Sequence, residues 1–149
     1  MELFNRMKLE LARTSLLRRE AKPVPLDLIG SCYFQDLVDS LTHLSRKDLG
    51  IAAPQVGVDL RIAIIQKVDR YPWVLINPEI TDYLDSYDRM EEGCSSLPGI
   101  SRRKIRSKGI IFTAHDLKRQ RYEGRATGLA ARIIQHEVDH LNGKLIVDH

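Results

Sequence analysis

Cysteine is scarce in this chain: only Cys32 and Cys94 occur among its 149 residues. Two thiols exclude a disulfide-dense secreted scaffold, and a bridge between them is not expected in a reducing compartment. Long apolar runs are missing too, so no segment has the length to cross a bilayer as a helix and no membrane partner is expected. Near the N-terminus Leu3, Phe4, Met7 and Leu11 are mixed with Glu2, Arg6, Glu10 and Arg13. That is neither the apolar core of a signal peptide nor the acid-poor composition of a transit peptide. Residues 1–15 read instead as a short amphipathic, helical extension, and the cytoplasm is the expected address. Aromatic residues make up only 6%, and none interleaves with the basic run Arg102, Arg103, Lys104, Arg106 and Lys108. The run therefore reads as a solvated loop or edge and not as a base-stacking surface. A net charge of +3 is mild, so no nucleic-acid site is expected. Internal repeats and low-complexity segments are absent.

What is present is an ordinary soluble mixture, 43% apolar and 29% charged, enough for one core in one domain spanning residues 1–149. Apolar spacing predicts an amphipathic helix over residues 26–44, with Phe34, Leu37, Val38, Leu41 and Leu44 as its stripe and Cys32 as a structural thiol. Residues 50–55 read as a compact extended segment whose small side chains let another chain approach its backbone. Residues 61–66 and 73–76 are β-rich, the second stopped by Asn77-Pro78, while 110–114 is another strand and 120–125 its antiparallel return. Short strands flanked by two helices, without regular βαβ alternation, predict an α+β fold.

The chemistry concentrates in Gln135-His136-Glu137-Val138-Asp139-His140. Residues four apart on a helix share a face, so His136 and His140 can grip one metal ion, with Glu137 beside them to trade a proton with water. Leu129, Ile133, His136 and His140 fall at helical spacing and predict one inward-facing stripe; Thr127 is a fair N-cap and Gly143 a good residue past the end.

Two further segments stand in order upstream: Leu49-Gly50-Ile51-Ala52-Ala53-Pro54-Gln55-Val56-Gly57 and Glu91-Glu92-Gly93-Cys94-Ser95-Ser96-Leu97-Pro98-Gly99. With the helix motif and the Leu141-Asn142-Gly143 that follows it, they resemble the three signature blocks of the peptide deformylases. The likeness covers most of the chain after residue 15 or so. It implies small antiparallel or mixed sheets around a central motif helix. With nine residues after His140, the C-terminal helix of many bacterial relatives is expected to be missing.

The resemblance also implies a site. Cys94, His136 and His140 would hold one divalent metal, with iron(II) native and nickel, cobalt or zinc able to replace it. Three protein ligands leave one position open, as catalytic metal sites do, and a thiolate suits softer metals. His43, His115 and His149 are the remaining candidates for closing the site, and a chance surface position is the better reading of each. Glu137 would shuttle the proton, and the Gln55 amide with the Ser95 backbone N–H would face the charge building on the formyl oxygen. Leu49, Gly50, Glu92, Gly93, Leu129 and Ile133 would surround the substrate, lying extended along the Gly50 segment. Leu129 and Ile133 also suit a core, and Glu92 and Arg106 match supporting positions or are ordinary surface charges. The implied activity is removal of the formyl group from N-formylmethionyl nascent peptides, by a monomer in transient contact with the ribosome.

Three positions depart from the family pattern: Asp48 in place of a glycine, Ser95 in place of leucine, and Ser101 in place of an arginine that Arg102 would replace. They bear on substrate preference more than on chemistry, and Asp48 would put a negative charge near the entrance. Two other readings compete. A metalloprotease also uses His-Glu-x-x-His, but Cys94 within Glu-Gly-Cys, the Gln55 block and the small size count against it. A non-catalytic metal-stabilised binding protein has no need of Glu137.

Overall fold

A computed structural model describes residues 3, 16–66, 72–84 and 86–148 of the chain. All but Leu3 of the extension expected over 1–15 lies outside the described residues.

Helix α1 spans Cys32–Ser45, and the Ser31 hydroxyl caps it by accepting from the Phe34 N–H at 3.1 Å. The helix expected from residue 26 therefore starts six residues late. Leu26–Leu28 makes only a 3-10 turn, and Gly30, at φ +93°, breaks the chain between the two. The predicted stripe of Phe34, Leu37, Val38, Leu41 and Leu44 is buried. Cys32 is not a structural thiol: it sits in the first turn, exposed.

Strands β1 (Gly50–Ala52), β2 (Ile62–Ile65), β3 (Trp73–Tyr83), β6 (Gly109–His115) and β7 (Arg121–Thr127) form one antiparallel sheet in the order β1-β2-β3-β6-β7. The extended segment expected over 50–55 stops at Ala52 and turns into a 3-10 helix at Ala53–Val56. Strand β3 does not end at Asn77-Pro78. Asn77 takes φ +51°, the register shifts between Ile76 and Glu79, and pairing with β6 resumes. The Asn77 amide is held in the bulge by Val24, accepting from its N–H at 2.7 Å and donating to its carbonyl at 3.1 Å. The return of β7 along β6 is as predicted, from Gly109 opposite Thr127 to His115 opposite Arg121.

The basic run is itself a strand. Tyr87–Gly93 (β4) and Ser101–Ser107 (β5) form a separate antiparallel hairpin.

Helix α2 spans Gly128–Leu141 and carries the whole His-Glu-x-x-His motif. Thr127 occupies the N-cap position with extended backbone but no side-chain cap bond, and Gly143 follows the helix at φ +75°. Residues 142–148 continue in turns. Along β2, Ile62 and Ile64 belong to the core shared with α1, while Ala63 and Ile65 belong to the core shared with Ala131, Ile134, Val138 and Leu141 of α2. Alternation along one strand thus places the two helices on opposite faces of the sheet. It also corrects the predicted inward stripe: Leu129 is 46% exposed, and its side of α2 faces a cleft.

Candidate active site

One turn of α2 separates His136 from His140, and Cys94 enters from the turn after β4. The Cys94 Sγ lies 3.4 Å from His140 Nε2, which is 3.1 Å from His136 Nε2. The three ligand atoms all fall within 4.8 Å of one another. His43 and His115 are not part of this group, and His149 lies outside the described residues. Burial alone would lower the pKa of His136, but its bonds to Cys94 and Glu92 outweigh that and push it up to about 10. Burial and the neighbouring His136 charge push His140 down to about 3. Two imidazole nitrogens and a thiol sulfur within 4.8 Å of one another make a donor set fitted to one soft cation.

Glu137 is 4% exposed, and its Oε2 has no hydrogen-bond partner among the described residues. Burial pushes its carboxyl up to about 7, with His136 opposing the shift and Asp48 adding to it. A carboxyl so placed takes and returns protons near neutral pH. Gln55 sits in the 3-10 turn, 2% exposed, where the sequence suggested a strand end. Its Oε1 accepts from the Ala52 N–H at 2.8 Å. The Nε2 is thereby turned toward Ser96 Oγ at 3.1 Å and Cys94 Sγ at 3.7 Å.

Glu92 and Arg106 are no surface charges. Both are buried, and the Arg106 guanidinium grips Glu92 in a two-pronged contact, Nε to Oε2 at 3.0 Å and NH2 to Oε1 at 2.9 Å. Glu92 Oε1 also meets His136 Nδ1 at 3.0 Å, which leaves His136 Nε2 for the metal position. Burial would raise the Glu92 carboxyl, but bonds from His136 and Arg106 hold it well below the usual carboxylate range. Arg106 reaches Asp139 as well. Sequence reading missed Arg132, which also bonds Glu92; its place four residues before His136, on the same helical face, was the available signal.

A cleft of about 540 Å³ opens above these groups. Leu49, Gly50, Gly93, Ser95, Leu129 and Ile133 line it, and Leu49 and Leu129 are half-exposed. Lys47, Met90 and Glu91 line it too, without having been anticipated, and so does Asp48. The Ser101 hydroxyl donates to Glu91 at 2.9 Å, while Arg102 is exposed and donates to the Ser101 carbonyl.

A cysteine and two histidines converge beside a buried carboxyl at the base of a cleft, an arrangement suited to a metal-dependent hydrolase. Residues 7–149 match the polypeptide deformylase family model, and the chain belongs to that family. It is 43% identical over 114 residues to a peptide deformylase of Dictyoglomus thermophilum, covering 76% of this chain and 72% of the relative. A peptide deformylase of Chlorobium phaeobacteroides (strain DSM 266) is 36% identical over 151 residues, covering 95% and 78%. Among solved structures, a class I type b peptide deformylase from Acinetobacter baumannii superposes with a TM-score of 0.85 at 34% identity, over 92% of this chain and 94% of that one. The peptide deformylase from Thermotoga maritima gives 0.81 at 35%, over 90% of each. Members of this family are metal-dependent hydrolases that deformylate nascent peptides. Among the described residues, no helix is long and apolar enough to cross a membrane.

Proposed function

We propose that this chain releases formate from N-formylmethionyl peptides through the residues gathered at the cleft base. Cys94, His136 and His140 hold one divalent metal, with iron(II) native and nickel, cobalt or zinc as substitutes. A metal there supplies Lewis-acid polarisation, which can bring the pKa of a water from ~15.7 to about 7. Glu137 accepts a proton from the attacking water. As hydroxide adds to the formyl carbon, the Gln55 Nε2–H and the Ser95 backbone N–H face the oxygen that gains charge. The C–N bond then breaks, Glu137 passes its proton to the departing amine, and formate and a free methionine amino terminus remain.

The substrate lies extended along β1, with the methionine side chain between the Leu129–Ile133 wall and Gly93. It works as a cytoplasmic monomer, meeting its substrate where nascent chains leave the ribosome.

The observation that carries this reading is the buried Glu137 Oε2, unpartnered within the motif that carries His136 and His140. A carboxyl desolvated without a hydrogen-bond partner is costly to keep, and a role in proton transfer accounts for its place here. The test is formate release from a formyl-Met tripeptide by metal-loaded protein, set against casein and the unformylated tripeptide. Turnover of the formylated peptide alone is expected; cleavage of casein would point to a protease instead.

A further inference from the structure

Arg132 sits one turn before His136 on α2 and is 5% exposed. A guanidinium keeps its charge when buried, so it needs partners on every side. NH1 meets Glu92 Oε2 and donates to the Lys104 carbonyl at 3.2 Å; NH2 meets Asp88 Oδ1 and donates to the Asp88 carbonyl at 3.1 Å. These contacts tie α2 to both strands of the β4–β5 hairpin, and the Cys94 turn follows directly from β4. The stem of Arg132 also walls the cleft beside Leu129 and Ile133. An apolar side chain would serve as well for that, so the wall does not account for the charge.

The Glu92 carboxylate divides its oxygens. Oε1 takes His136 Nδ1 and one nitrogen of Arg106; Oε2 takes the other nitrogen of Arg106 and Arg132 NH1. Arg106 is also drawn toward Asp139, so its fork alone leaves the carboxylate free to follow it. Arg132 holds Oε2 from the helix that bears His136.

We propose that Arg132 is a positioning residue of the metal centre. By pinning Glu92 Oε2 it keeps Oε1 against His136 Nδ1, and so sets the ring direction of a metal ligand it does not touch. This rests on the metal site proposed above. Partners of this kind typically change metal affinity by about 10–100-fold when removed.

The test is the zinc dissociation constant, measured by competition with a chromophoric chelator, for the parent, R132M, R132K, E92Q and R132M/E92Q, each checked for folding by circular dichroism. R132M should bind zinc about 10–100-fold more weakly, and R132K should recover part of the loss. In the E92Q background the same change should cost less than about threefold, because Arg132 acts through Glu92. At metal saturation kcat should fall while KM for a formyl-Met peptide stays within about threefold, the split expected when ground-state binding is untouched. R132M binding zinc as tightly as the parent, or costing as much in E92Q as in the parent, would overturn the assignment. If R132M does not fold, R132K carries the test alone: unchanged zinc affinity overturns it equally. A parent that binds no zinc would instead remove the metal site itself, and the proposal with it.

Discussion

Gly50 and Glu137 lie so close that a β-carbon on Gly50 would stand 3.0 Å from Glu137 Oε1 and 2.8 Å from Ile133 Cγ2. The missing side chain is what lets the β1 edge rest on the Glu137 carboxyl. Gly50→Ala is therefore expected to displace Glu137 and narrow the cleft. We expect kcat/KM to fall by about tenfold or more, with a stability loss of about 1–3 kcal/mol from overpacking. Steady-state formate release and urea unfolding read the two separately, and metal content should not change.

Removing a ligand should act differently. Cys94→Ser and His136→Ala each delete one of the three proposed protein ligands, and both should deplete bound metal by orders of magnitude. Metal analysis after purification without oxygen checks this; full occupancy in both variants would sink the ligand set.

Metal uptake should also depend on pH in a direction fixed by His136. Its pKa is raised to about 10, so near neutrality the protonated ring competes with the metal, and that proton must leave on binding. Affinity should rise by about tenfold per pH unit between roughly pH 6 and 8. Calorimetry in buffers of different ionisation enthalpy would count the protons released.

Much of this site was legible because helical spacing is rigid: His136 and His140 can only share a face, and Glu137 follows. Boundaries were less so. Residues 26–28 continue the apolar spacing of α1, and only Gly30 and the Ser31 cap, both local backbone effects, interrupt it. The β4–β5 hairpin was hidden for another reason. Its buried positions are Glu92, Arg106 and Ser107, so the signal is written in paired charges and a hydroxyl, where a sequence reading looks for apolar residues. Arg132 was missed for the same reason, as a charge buried against charges.

Glu137 should make the metal-free protein less stable as pH rises. Its carboxyl moves from an ordinary 4.5 to about 7 on folding, so the folded state favours the neutral form. The penalty is absent below about pH 4.5 and complete above about pH 7, on the order of 3 kcal/mol at most. Metal-stripped Glu137→Gln lacks it. Its stability relative to the metal-stripped parent should therefore improve between pH 5 and pH 8, as read by urea unfolding at each pH.

The most direct measurement pairs metal content with formate release in Glu137→Gln. The substitution leaves Cys94, His136 and His140 in place and removes only the group proposed to carry the proton. The account predicts parent-like metal occupancy with release of formate from a formyl-Met tripeptide reduced by about 10²–10⁴-fold. Formate released at close to the parent rate by metal-filled Glu137→Gln would contradict it.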